Sequence, residues 1–278
     1  MALGDLGKRI NSALVGVIKE VRDVVETTTE VTRENIVEGL RAVKDVAAQV
    51  SSMAQDAVSG AIQAGSQAGA EVSSAAKGAV AGVIQGVSEV TTVTADVVSD
   101  TVRAAMKATR EVGSDVSKTA QSAAEGVVSA SKTVGLSLRE ATYSIARGAI
   151  QGARETGSDL ASIAKHTMEG SVKGTQEIGG DVMQAIESLS RGLIRGAAEV
   201  RGDLASVARS AVEGAIDGAR SVRLKAEDAA SAAATGAIEA AREVSESAAA
   251  AVTKAVSETI SGIKVVLKTP VKKGKKRR

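Results

Sequence analysis

The side chains able to do chemistry in this chain of 278 residues are few, and most recur at fixed spacing. His166 is the one histidine and there is no cysteine, so a transition-metal site has almost no imidazole or thiolate to draw on. His166 stands near positions where the chain elsewhere carries Arg209 and Lys254, as expected of a solvated helix face. Asp115, Asp159, Asp181 and Asp203 recur 22 or 44 residues apart. Carboxylates so spaced along one helix cannot converge on an ion or a scissile bond, and they read as a solvated face or as helix N-caps. No GxxxxGK[ST] loop occurs, and Arg201-Gly202-Asp203 is a variant of a recurring tripeptide. A nucleophile with its base, a titratable pair or a metal is the minimum for catalysis. None is evident, so no enzyme activity, cofactor, metal site or small-molecule substrate is expected. One segment has a chemical character of its own. After Glu258 come Lys264, Lys268, Lys272, Lys273, Lys275, Lys276, Arg277 and Arg278, while the rest of the chain holds 27 basic and 33 acidic residues. Such charge density suits a polyanion, either nucleic acid or anionic lipid headgroups, or the acidic body of a neighbouring copy. It lacks an aromatic residue for stacking on bases.

The elements that must carry these residues are set by a repeat. A 22-residue unit runs eleven times without a gap from Gly16 to Ser257, starting at 16, 38, 60, 82, 104, 126, 148, 170, 192, 214 and 236. Nine starts are glycine, Glu38 and Ala104 being the exceptions. Position 3 is apolar in every copy, as in Ile18, Leu40, Ile62, Ile150 and Ile216. Small or apolar residues recur mostly at positions 2, 6, 9, 13, 17 and 20, which is helical spacing and not strand alternation. Six turns in 22 residues is a double-hendecad period, which implies a nearly straight or slightly right-handed seam. An all-α, extended architecture follows, with residues 1–15 as an amphipathic lead-in, 16–257 as the repeat array and 258–278 as a flexible basic tail.

Two layouts compete. Gly113-Ser114-Asp115, Gly157-Ser158-Asp159 and Gly179-Gly180-Asp181 carry the signals by which one helix stops and the next is capped. A turn there would make each unit one helix of about nineteen residues and fold the chain into hairpins. Against it, the copies at 16, 82 and 236 have Val25, Thr91 and Ser245 at that position, and the apolar phase continues across it. The second argument favours a continuous or gently kinked helix, about 1.5 Å long per residue. Five copies begin with a true GxxxG: Gly82/Gly86, Gly148/Gly152, Gly170/Gly174, Gly192/Gly196 and Gly214/Gly218. Two small residues four apart let another helix backbone approach closely. The other reading of these glycines is that they weaken the helix until a partner or surface is present.

Composition points away from an ordinary globular domain. There is no Phe or Trp, one Tyr and one Pro. Ala and Val supply much of the apolar fraction, enough for a narrow seam between helices but poorly suited to a thick core. No stretch reads as a signal peptide or a membrane span, which makes the cytoplasm the default expectation.

The stretch Glu125-Gly126-Val127-Val128-Ser129-Ala130-Ser131-Lys132-Thr133-Val134-Gly135 resembles the synuclein repeat. The Gly/Val/Thr/Ala mixture over 83–109 is similar to the long repeat of perilipin-type lipid-droplet proteins, and the Ala-rich composition resembles group 3 late-embryogenesis-abundant proteins. Bacterial granule-coating phasins share the general plan. The resemblance covers 16–257 and is one of period and composition. It implies helices that are weak alone and form on a lipid surface or on drying. Three functions are therefore expected to compete. One is a coat on a lipid or hydrophobic granule through the Val/Ile/Ala stripe. The second is a self-associating fibrous protein using the GxxxG faces. The third is a desiccation or stress protectant.

Overall fold

Every unit of the array ends one helix and begins another. The computed structural model describes residues 3–19 and 23–267. Among them lie α1 (Asp5–Ile18), α2 (Val24–Ala42), α3 (Val46–Ala68), α4 (Val72–Ser88), α5 (Ala95–Glu111) and α6 (Val116–Val134). They continue with α7 (Leu138–Thr156), α8 (Leu160–Glu177), α9 (Val182–Glu199), α10 (Leu204–Ser221), α11 (Ala226–Val244) and α12 (Glu246–Val256), and end on a short hairpin, β1 (Thr259–Ile260) with β2 (Ile263–Lys264). The all-α class holds, but the extended continuous helix does not form. Each helix packs on its chain neighbours and on the helices two places away. The odd helices thus form one layer and the even helices a second, antiparallel to it. This is the arrangement of a helical-repeat stack.

The turns explain why the helix stops. In seven copies position 10 adopts the left-handed conformation: Gly69, Gly113, Gly135, Gly157, Gly179, Arg201 and Arg223. Glycine does so without steric cost, and the following amide closes back onto the last turn. Ser158 N–H donates to Ala153 O at 2.9 Å, and Gly180 N–H to Thr175 O at 2.9 Å. Two residues on, the recurring aspartates cap the next helix. Asp115, Asp159, Asp181 and Asp203 each accept a backbone N–H from the first turn they precede. The four copies without a left-handed residue at position 10 break differently: before α2 at Asp23, before α3 at Asp45, before α5 at Thr94 and at the single extended residue Ser245. The continuing apolar phase has a simple cause. A repeat of six full turns restores the same helix face whether or not the chain turns back between units.

Arg201 pays the steric cost that glycine avoids, with φ of 56°. A left-handed L-residue costs about 1–2 kcal/mol, partly offset by glycine's greater freedom when unfolded. Arg201→Gly is therefore expected to stabilise the fold by about 0.5–1 kcal/mol. In urea titration the midpoint should rise at unchanged slope; a fall would contradict the turn geometry.

The buried face is much wider than a seam. In α8, α9 and α10 it covers unit positions 16, 17, 20, 21, 1, 2, 3, 5 and 6, because each helix is flanked by four others. Ile62, Ile84, Met106, Ile150, Ile194 and Ile216, all from position 3, have no exposed surface. A core of small residues is possible because the helices approach closely. A Cβ built on Gly126 would lie 2.6 Å from Lys77 O, and one on Gly82 would lie 2.5 Å from Thr29 O. Gly148, Gly170 and Gly214 meet Ser99 O, Gln121 O and Lys165 O in the same way, each on the helix two places back. Gly86 faces Arg33 O and Ile36, and Gly192 faces Ala146. The second glycine of the pair receives a side chain. Gly152, Gly174, Gly196 and Gly218 lie against Met106, Val128, Ile150 and Val172, the position-3 residues of the neighbouring helix. In α4, Gly78, Gly82 and Gly86 face Val25, Thr29 and Arg33 in order, which fixes the same-layer helices as parallel.

The ends of the stack are built differently. Gly4 precedes α1 without a side-chain cap, and Asp56 of α3 supplies one across the interface. Its carboxylate accepts from Gly4 N–H and Gly7 N–H, both at 2.7 Å. At the other end, the hairpin occupies the start of the segment expected to be a flexible tail. It turns through Ser261 and Gly262, both with positive φ, as a two-residue hairpin loop requires. Ile260 and Val265 are buried, and Arg220 of α10 donates to Ser261 O at 2.8 Å.

Candidate interaction groove

Charged residues join the helices of each layer. In the even layer, Lys165 of α8 meets Glu213 at 2.9 Å and Asp217 at 3.0 Å, both on α10. Lys77 of α4 meets Glu125 of α6 at 2.9 Å, and Lys173 of α8 reaches the same carboxylate at 3.2 Å. In the odd layer, Lys107 meets Glu155 at 3.2 Å and Arg195 Nε donates to Glu243 at 2.9 Å. Arg191 pairs with Glu239 in the same register. The Lys77–Glu125, Lys165–Glu213, Lys107–Glu155 and Arg195–Glu243 partners are all 48 residues apart, two units plus one helical turn. Basic residues near helix ends serve the same packing: Lys132 donates to Ile178 O at 3.2 Å and Arg154 to Val200 O at 2.5 Å. Both contacts satisfy terminal carbonyls of the helix two places on.

These contacts perturb titration in definite directions. Burial lowers the Lys77 ammonium, but its hydrogen bond to Glu125 and the charges of Glu125 and Glu177 outweigh it, leaving Lys77 above the ordinary 10.5. Glu213 and Asp217 raise Lys165 despite burial. Glu169 is pushed above the usual carboxylate range by burial, opposed by His166 and Lys165. His166 itself lies beside Ser162 O, Nδ1 to oxygen 2.9 Å, on the turn behind it. Among the described residues no group of three His, Asp or Glu side chains is placed to hold a metal ion.

A concavity of about 1090 Å³ opens on the outer face of the odd layer. It begins at Ala95 of α5 and crosses the first turns of α7, where Arg139, Glu140 and Tyr143 line it. Along α9 it is lined from Asp181 to Arg195, and on α11 by Asp228, Ser231, Ala232, Thr235 and Glu239. Apart from Met183 and Tyr143 its lining is charged, polar or small, whereas a small-molecule site is normally enclosed and mostly apolar. The walls are held in place. Glu140 and Ser137 form a reciprocal capping box on α7, Asp181 caps α9, and Arg191 and Arg195 are tied to α11 by the pairs above. The Arg195 guanidinium sits 6.0 Å from the Tyr143 ring centroid, within reach of a cation–π attraction. Five carboxylates face three guanidiniums along the lining, so the groove is net acidic.

The helix-contact glycines lie in the interior, away from this face. Of the basic residues singled out for polyanion binding, Lys264 is exposed on β2, and Lys268, Lys272, Lys273, Lys275, Lys276, Arg277 and Arg278 lie outside the described residues. The groove residues were not found from the sequence. Tyr143 was the available signal, as the chain's one aromatic residue, standing at position 18 where other copies carry Lys77, Gln121 or Lys165.

No protein-family model matches this chain, and no curated protein matches it.

Proposed function

We propose that the chain is a non-catalytic binding scaffold: a pre-folded stack of helices that presents the odd-layer groove to a macromolecular partner. The observation that carries this reading is the groove itself. It runs over four helices of one layer, and its charged walls are fixed by inter-helix ion pairs and helix caps. A surface assembled from successive repeats suits an extended partner better than a small substrate. The Val/Ile/Ala stripe and the GxxxG faces are already covered by neighbouring helices. Coating a lipid surface through the stripe, or self-association through the glycines, would need the stack to open first. Forming only on drying would need it not to assemble in dilute solution. No helix among the described residues is long and apolar enough to cross a membrane. A cytoplasmic location belongs to the proposal.

Far-UV circular dichroism with and without anionic vesicles separates these readings. The scaffold is expected to be fully helical in dilute buffer and to melt cooperatively. Its spectrum should not change with vesicles, nor should it co-sediment with them. A coil that gains helix only on vesicles would replace this reading with the coat; one that gains helix only on drying would replace it with the protectant.

A further inference from the structure

The described chain ends beside the groove. Ser231 of α11, which lines it, donates its hydroxyl to Val266 O at 2.6 Å. Val265 is buried against the stack, whereas Val266 and Leu267 are exposed. The backbone therefore leaves the hairpin at the rim, on the side where Asp228 and Ser231 stand. Residues 268–278 follow, with seven basic side chains and no acidic one. The groove ahead of them is net acidic, with Glu140, Asp181, Glu187, Asp228 and Glu239 among its walls.

Reach agrees with charge. Eleven extended residues span up to about 36 Å. Crossing from α11 over α9 and α7 to the edge of α5 takes three helix spacings of about 8–10 Å each. An outward polyanion would have to compete with carboxylates tethered at millimolar effective concentration.

From this juxtaposition we infer that the groove's occupant is the chain's own basic segment, residues 268–278, masking the surface until a partner displaces it. The inference rests on the groove being the binding face. Its chemistry is that of a lysine- and arginine-rich peptide on a net acidic trough.

The test uses a fluorescent peptide of residues 268–278, added to the full chain and to a chain ending at residue 267. Fluorescence anisotropy at low salt should show binding to the shortened chain at least tenfold tighter than to the full chain. The shortened chain carrying Glu187→Gln and Asp228→Asn should lose at least tenfold, while Glu26→Gln with Glu30→Gln on α2, far from the groove, should change little. Circular dichroism melts on the same samples establish that each variant is folded. Equal binding to the full and shortened chains would overturn the masking. Binding to neither, or equal loss in both double variants, would overturn the assignment of the groove to this segment. Those outcomes in a folded chain leave the scaffold reading standing. That reading fails separately if the same samples are not helical without vesicles.

Discussion

Gly170→Ala will destabilise this protein by about 1–3 kcal/mol, the usual cost of forcing a methyl into a packed core. The sign is the point. In an exposed helix the same change stabilises by up to about 1 kcal/mol, because alanine is the better helix former. At Gly170 the added Cβ would overlap Gln121 O, a backbone atom of α6 that cannot rotate away. The two helices must separate, and with them the side chains packed around Val128 and Gly174. Gly16 heads its own copy of the unit, but its missing Cβ has nothing within 4 Å. Gly16→Ala should therefore stabilise by about 0.5–1 kcal/mol. Opposite signs at equivalent repeat positions, measured by urea denaturation, are expected only if the repeat folds back on itself. Stabilisation by both substitutions would mean that the glycine faces are open.

Glu125→Ala is the second large effect, expected to cost about 2–3 kcal/mol; removing one partner of a buried pair costs up to about 3–5 kcal/mol, discounted here because the lysines are partly exposed. The Glu125 side chain is 5% exposed, while Lys77 and Lys173 are 21% and 47% exposed. One carboxylate thus holds an ammonium from each flanking helix, and its loss leaves α4 and α8 with like charges facing a gap. Glu125→Gln should recover part of the packing but little of the charge pairing. The pH dependence follows from Lys77, whose folded-state value is raised above 10.5. A raised lysine contributes stability that is fully present below the unfolded value and is lost as pH rises through the folded one. The difference between wild type and Glu125→Ala should hold steady from pH 7 to 10 and shrink above the ordinary lysine range. A gap unchanged at high pH would show that Glu125 acts through packing alone.

Much of this fold can be read in the chain. Helices, the 22-residue unit and the glycine face are all explicit in its spacing, and Gly157-Ser158-Asp159 contains both halves of the turn that forms there. Val25, Thr91 and Ser245 argue for a continuous helix, yet they mark copies where the break merely shifts. An unbroken apolar phase argues for it too, yet it is equally compatible with turns between units. Burial decides against the continuous helix. A helix of seventeen to nineteen residues loses a few terminal hydrogen bonds at each turn and regains most through its caps. Folding back then buries its face on four neighbours. The groove was not legible for a different reason. Arg195 and Glu243 become partners only when residues 44 apart are known to be side by side, and the groove is lined from four helices and belongs to no single unit.

Chain segments 44 residues apart lie next to each other in this stack. The absence of cysteine allows clean labelling. Thr133 of α6 and Ser221 of α10 are both exposed and lie 88 residues, four repeat units, apart in sequence. With spin labels on Thr133→Cys and Ser221→Cys, dipolar spectroscopy should give a narrow distribution near 20 Å, two helix spacings of about 8–10 Å. A continuous helix would place the labels about 130 Å apart at about 1.5 Å per residue; loss of the short distance in dilute buffer would contradict the stack.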